Sequence, residues 1–378
     1  MINTEFPPKV GGGGAYIHNL SKELIKRGHQ VVVITRGSWK GLKTDRLDGI
    51  EVYRVPYIHV YPLLVITHKI FQNRIFNALR SNSDFDLLHF HQSFSPPINT
   101  TLPIIVTQHT SVGPGSFELQ NFYAGKRIPG PLFSLMRSYV KGAEGRMLER
   151  ADCITTVSKA MANELHNLHG TDPRAIKVLG NGVDTEAFVP GNGKPNEKII
   201  LYTGRLAYHK GVFDLVKAAR HVLDEHPEVS FVLTGRGPIE QELRTMVTNM
   251  SMTNNFRFAG FVERTRLIEL YQNATVYVFP SYYEGLPTTI LEAMACETPV
   301  VATAIDGIRE VIIDGKNGFT VPVKNPEAIA SVIVRLLDDE ELRKRIGQAA
   351  RQTILEHYTW NEVANRTLKC YNDLLRAM

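Results

Sequence analysis

The chain is poor in cysteine. Only Cys153, Cys296 and Cys370 occur in 378 residues, far apart and without a C-x-x-C spacing. That pattern argues against a disulfide framework and a zinc site, and fits a reducing cytosol. Also missing is any run of about 18 consecutive apolar residues, the length at which a membrane-spanning helix becomes a candidate. The opening residues, MINTEFPPKVGGGG, lack a basic stretch followed by an apolar core, so a secretory signal of the usual kind is not expected. Low-complexity tracts are absent too, and 43% hydrophobic with 21% charged residues is the composition of a folded protein. Acidic residues are scarce in one half. Residues 1–180 hold 21 Lys and Arg against 13 Asp and Glu, a net +8, whereas the rest carries −3 of the total +5. Such asymmetry is weak by itself, and no nucleic-acid partner is expected from it.

What is present is an alternation of short β-branched runs with amphipathic stretches, the signature of βαβ units. A length of 378 residues exceeds what one core usually supports, so two domains are expected. In the first half, residues 15–27 place Ile17, Leu20, Leu24 and Ile25 at helical spacing, end at Gly28, and lead into the apolar run Val31-Val32-Val33-Ile34. Further strands are expected at 51–55, 87–91, 104–107 and 153–157. The stretch 189–195, rich in Pro and Gly, separates these from a second series at 199–203, 229–234, 256–259, 276–279 and 299–302. Only Met1, Ile2 and Asn3 precede Thr4-Glu5-Phe6-Pro7-Pro8, so the first strand looks clipped, with a genuinely short strand as the alternative. Two doubly wound halves would bind ligand in a cleft at the carboxyl ends of their strands.

The most informative segment is SYYEGLPTTILEAMACETPVVAT, residues 281–303. A strand runs into the loop Glu284-Gly285-Leu286, Pro287 stands at an expected first helical position, and a helix continues through Ala295. Free amides of the turn from Leu286 through Thr288 to Ile290, with the helix dipole, make an anion site between Glu284 and Glu292. A single Glu in either place would ordinarily be a solvated residue. Glu292, however, is flanked by Ile290, Leu291, Ala293 and Met294, where a half-buried carboxylate is costly unless hydroxyl groups pair with it. The second element is TGRLAYHKG, residues 203–211, which follows a strand directly. Gly204-Arg205 and Lys210-Gly211 flank a strand-to-helix turn, where a guanidinium and an ammonium can clamp a diphosphate in place of a metal ion.

Together these segments resemble the retaining GT-B glycosyltransferases of family four, whose Glu-x7-Glu signature is matched by Glu284 and Glu292, and the resemblance covers nearly the whole chain. Weaker landmarks agree: a Gly-rich loop at 11–14 after the first strand, His109 in Thr107-Gln108-His109-Thr110-Ser111, Asn181-Gly182-Val183-Asp184, and Gly235-Arg236-Gly237-Pro238. The resemblance implies that Glu292 binds ribose, Glu284 contacts the transferred sugar, and Arg205 and Lys210 bind the diphosphate. It further implies that His109 lies near the anomeric carbon and that Gly12 and Gly13 let backbone amides approach the donor. Whether His109 is a base or a hydrogen-bonded histidine at a strand end is left open. Similar enzymes transfer the sugar with retention as the phosphate departs, with no protein nucleophile.

Two patterns point elsewhere and are discounted. Asp84-Phe85-Asp86 mimics a metal-binding D-x-D but reads as a polar turn before a strand, and the glycines at 11–14 lack G-x-G-x-x-G spacing because Tyr16 fills its last position. No cofactor or metal is expected; the nucleotide sugar is a co-substrate. His89 and His91 alternate on one strand and are weak ligand candidates. Between Val52 and Ser83 there is no acidic residue, while Arg54, Lys69, Arg74 and Arg80 accompany Leu63, Leu64, Ile66, Ile70, Phe71, Ile75, Phe76 and Leu79. Phe122, Tyr123, Lys126, Arg127, Arg137 and Lys141 form a second basic, aromatic segment. These segments suggest either contact with an anionic membrane and a lipid-linked acceptor, or a helix packing its apolar side inward.

The sequence thus leads to a GT-B fold of two Rossmann-like domains facing each other across a cleft. Residues 1–185 would form the acceptor side, 186–355 the nucleotide-sugar side, and 356–378 a helix returning to the first domain. The expected function is transfer of a hexosyl group from a UDP- or GDP-sugar to a glycan or lipid-linked acceptor, in the cytoplasm or on the cytoplasmic face of a membrane. A GT-B epimerase or hydrolase, or a non-catalytic nucleotide-sugar-binding protein, is the alternative.

Overall fold

The computed structural model describes residues 1–8, 12–38, 41–56, 63–81, 83–91, 98, 100–111, 130–193 and 197–378. Among these residues two compact units form, the first from residues up to 111 with 130–181 and 360–378, the second from 182–359. The division falls between Asn181 and Gly182, ahead of the stretch at 189–195. The reason is local: Asp184 pairs with Arg264 at 2.7 Å, and the Phe188 ring meets Tyr271 edge-on, so the residues before that stretch pack with the second unit.

Among the described residues the first unit is built on the strands β1 (Val32–Arg36), β2 (Lys43–Leu47), β3 (Ile50–Val55), β4 (Leu88–His91), β5 (Ile104–Gln108), β6 (Cys153–Thr156) and β7 (Lys177–Val178). They form two sheets in the orders β1-β3-β2 and β4-β5-β6-β7. Among the described residues Ile2 alone bridges them, pairing with Ile34 on one side and Phe90 on the other. Where the sequence suggested a clipped strand, one residue therefore does the pairing. All of these pairings are parallel except β2 with β3. That antiparallel hairpin turns at Asp48 (φ 49°) and Gly49 (φ 83°), the two positive φ values of a type I′ turn, for which Asp-Gly is a favoured pair.

One feature of this unit departs from the sequence reading. Gly12, Gly13 and Gly14 are not a loop but the first turn of the helix Gly12–Lys26, and Gly11 lies outside the described residues. Of the apolar side chains described on the helix Leu63–Arg80, Phe71, Ile75, Phe76 and Leu79 pack into the core, and Ile70 is exposed. This is the inward-packing alternative for that helix. Phe122, Tyr123, Lys126 and Arg127 lie outside the described residues. The helix Trp360–Ala377 belongs to this unit and packs on Gly12–Lys26. There Arg27 Nη2 donates to Asn361 Oδ1 at 2.6 Å, and the Trp360 ring stands 5.3 Å from that of Tyr16.

The second unit holds a parallel sheet of β8 (Ile199–Thr203), β9 (Ser230–Thr234), β10 (Phe256–Gly260), β11 (Val276–Phe279), β12 (Val300–Thr303) and β13 (Phe319–Val321). Their order is β10-β9-β8-β11-β12-β13. The core runs through both faces, with β8, β11 and β12 buried along their whole length, as expected for parallel strands covered by helices. The chain winds outward from β8 to β10, then returns to β11 and winds the other way. The boundary between β8 and β11 is a topological switch point, where open α/β sheets leave a crevice for ligands.

Candidate functional site

Loops leaving the carboxyl ends of β8, β9, β11 and β12 meet at one edge of the second unit, held by backbone approaches that only glycine permits. Gly235, after β9, has φ 102°, and a Cβ there would stand 2.0 Å from Gly204 O in the loop after β8. Gly211 has φ 65°, and its Cβ would stand 1.9 Å from Pro280 O after β11. Hydrogen bonds complete the joint: Leu206 N donates to Arg236 O at 3.1 Å and Tyr282 N to His209 O at 2.7 Å. Positive φ and these gaps exclude a side chain at either position.

Within this edge the structure brings Lys210 and Glu284 together. Lys210 follows β8 and Glu284 follows β11, 74 positions later, and Lys210 Nζ donates to Glu284 Oε1. Ser281 Oγ donates to the same oxygen at 2.9 Å. The Lys210 and Glu284 side chains are only 19% and 15% exposed, so this is a partly desolvated pair rather than a surface contact. Arg205 is exposed on the same loop and does not join the pair. Its guanidinium and the Lys210 ammonium add to burial in lowering the His209 imidazole to about 4. Gly285 and Leu286 are buried, and Thr288 opens the helix Thr288–Ala295. Pro287 takes the N-cap with φ −74° and ψ 122°, one position earlier than the sequence suggested, because its extended ψ is not yet helical.

Glu292 sits one turn into that helix. Its residue is half-buried, but burial of the carboxyl group pushes the pKa up to about 7, opposed by the Tyr271 hydroxyl and by Arg264. Tyr271 donates to Glu292 Oε2 at 2.9 Å, and the Tyr271 oxygen lies 2.8 Å from Thr203 Oγ1. Sequence reasoning missed Thr203, Tyr271 and Ser281. Ser281 begins the very segment that drew notice and was within reach. Tyr271 stands on the separate helix Arg264–Asn273, and nothing in its neighbours marks it.

The remaining candidates stand in the first unit. His109 follows β5, with Nε2 3.2 Å from His91 Nδ1 and the Tyr16 ring 4.6 Å away at its edge. Burial lowers its pKa to about 4, so it is neutral at pH 7. His89 Nδ1 lies 2.6 Å from the Tyr371 hydroxyl and its Nε2 2.6 Å from Thr107 Oγ1. His89 and His91 are also held well below the ordinary histidine range by burial. Gly12 and Gly13 lie in the first turn of their helix, where backbone amides have no partner within the helix. Asp84 and Asp86 are exposed. Among the described residues no group of three or more His, Cys, Asp or Glu is placed to hold a metal ion, and no helix is long and apolar enough to cross a membrane.

Comparison with known proteins adds three results. Residues 184–353 match the family model described as glycosyl transferases group 1, and residues 10–187 match glycosyltransferase family 4. An uncharacterized glycosyltransferase of Methanocaldococcus jannaschii is 29% identical, covering 100% of this chain and 98% of its own length. The glycogen synthase of Mycobacterium tuberculosis is 26% identical, covering 98% and 93% respectively. Among solved structures, the sucrose-phosphate synthase from Thermosynechococcus elongatus superposes with a TM-score of 0.81 at 22% identity, covering 100% of this chain and 98% of its own. That likeness establishes the architecture as the GT-B fold.

Proposed function

We propose that the chain, a GT-B glycosyltransferase related to the group 1 and family 4 enzymes, is a retaining, metal-independent hexosyltransferase that moves a sugar from a nucleotide-sugar donor to an acceptor. Its donor is a UDP- or GDP-sugar. The observation that carries this reading is the convergence of Lys210, Glu284 and Glu292 at the switch point of the second unit's sheet.

Lys210 and Glu284 neutralise each other. An arriving diphosphate competes for the Lys210 ammonium and releases Glu284 to accept hydrogen bonds from hydroxyls of the sugar. Arg205 swings onto the phosphates from its exposed position, and the amides at the start of Thr288–Ala295 face the same charge. Negative charge that develops on the leaving diphosphate is then stabilised by fixed cations and dipoles, without a metal ion. Glu292 takes the ribose hydroxyls, with Tyr271 fixing the orientation of its carboxylate. His109, neutral by burial, acts in the catalytic set as a hydrogen-bonding imidazole rather than a cation. Gly12 and Gly13 supply backbone amides.

The acceptor we propose is a glycan or a lipid-linked sugar; the relative named glycogen synthase supports the first. The test is to titrate UDP- and GDP-sugars and then follow nucleotide release with and without acceptor extracts, in the presence of a chelator. Release that requires acceptor, survives chelation and yields a product with the donor's anomeric configuration is the expected result. Acceptor-independent release would make the protein a hydrolase, conversion of the donor sugar an epimerase, and binding without turnover a non-catalytic binder.

A further inference from the structure

Cys153 and Cys370 are separated by 217 positions, yet their sulfurs stand 3.1 Å apart. Cys153 opens β6, and Cys370 lies on the buried side of the helix Trp360–Ala377, packed with Ile105, Leu179 and Leu374. All three cysteines of the chain are free thiols. A disulfide requires a sulfur separation of about 2.05 Å, so closure asks for an approach of only about 1 Å. A cavity of about 440 Å³ opens onto Cys153 and is lined also by Asp172, Lys177, Asp373 and Ala377.

The two thiols are not equivalent. Cys153 is half-buried, whereas Cys370 is 2% exposed. The sulfur–sulfur contact and the Lys177 ammonium lower the Cys153 thiol against burial, Asp373 and Asp152, while the same contact and burial raise Cys370. Lys177 is itself anchored by Asp373 at 3.0 Å, three residues beyond Cys370 on the same helix. A reachable sulfur beside an ammonium, with a buried thiol in contact, is the arrangement of an attacking and a resolving cysteine.

We propose that Cys153 and Cys370 are a reversible thiol–disulfide pair, with Cys153 attacking and Cys370 resolving, closed by a small disulfide such as oxidised glutathione. The Cys153 thiolate attacks one glutathione sulfur, forming a mixed disulfide and expelling one glutathione thiolate. Cys370 then gives up its proton and attacks Cys153 Sγ, expelling the second glutathione. Two protein thiols are oxidised to one disulfide, and one oxidised glutathione is reduced to two thiols. The bond ties the helix Trp360–Ala377 to β6, next to Tyr371 and its contact with His89.

The test equilibrates the full chain in glutathione buffers of increasing oxidation, alkylates the remaining thiols after unfolding, and weighs the product. The expected result is a monomer lighter by two hydrogens, with Cys296 as the one alkylated residue and a melting temperature raised by about 5 °C or more. Cys296→Ser should behave alike. Cys370→Ser should instead keep one glutathione on Cys153. Three alkylated cysteines at every ratio, a bond that includes Cys296, or a bond found only between chains would overturn the proposal, and none of these readings on the natural sequence depends on a variant folding.

Discussion

Glu292 concentrates the residue-scale chemistry. Its carboxyl group is raised from 4.5 to about 7, so the folded protein holds a proton there that the unfolded chain has released. The stability this gives is complete below pH 4.5 and is lost as pH rises towards 7. Ribose hydroxyls pair best with the carboxylate, so binding of a nucleotide sugar should strengthen as pH rises through about 7. Calorimetric titration should show that slope in the natural protein and a flat profile for Glu292→Gln. Tyr271→Phe removes the hydroxyl that holds the pKa down, and should move the midpoint to higher pH without abolishing binding, an effect that mere loosening of the site would not produce. Lys210→Ala removes one charge-assisted contact to the diphosphate and should weaken donor binding about tenfold or more. Unchanged affinity would remove Lys210 from the clamp.

At the scale of elements, the donor edge depends on loops after β8, β9, β11 and β12 locking through glycine. Gly211→Ala combines a φ of 65° with a Cβ placed 1.9 Å from Pro280 O. It should cost about 2–4 kcal/mol in stability, read as a lowered denaturant midpoint. It should also weaken donor binding, because Lys210 is its immediate neighbour. The pair Gly204-Arg205 and Lys210-Gly211 was legible in the sequence as a turn between strand and helix. The reason for the second glycine was not, since Pro280 is 69 positions away in sequence. Likewise the hairpin of β2 and β3 carried its Asp-Gly signal openly, but β2 is largely exposed, so no apolar alternation announced the strand.

At the scale of the whole molecule, the two units differ in the balance of their titrating groups. In the first, His89, His91 and His109 are kept neutral by burial, with His109 lowered from 6.5 to about 4. The unfolded chain takes up protons first as pH falls from 6.5, so the stability these residues allow is present above 6.5 and lost towards 4. In the second unit, Glu292 gains its proton in the native state as pH falls below about 7, which offsets His209, lowered there to about 4. Thermal scans between pH 7 and pH 5 should therefore show the first unit's transition falling further than the second's. His109→Asn should shrink the first unit's acid shift, and an acid shift left intact would mean that His109 is already solvated.

The sequence by itself determined the two series of βαβ units, the positions of the second unit's strands from β8 through β12 but not β13, and the acidic pair Glu284 and Glu292 in one strand-loop-helix segment. These rest on local pattern: apolar runs, turn residues, and spacing along one helix. Only the tertiary structure decided which distant residues meet. Lys210 reaches Glu284 because β8 and β11 are neighbours across a switch point. Tyr271 reaches Glu292 because its helix lies beside Thr288–Ala295, and Cys153 reaches Cys370 because the final helix folds back onto the first unit. Pairings of this kind follow from strand order and helix packing, and strand order is a property of the closed sheet, which no single stretch of the chain contains.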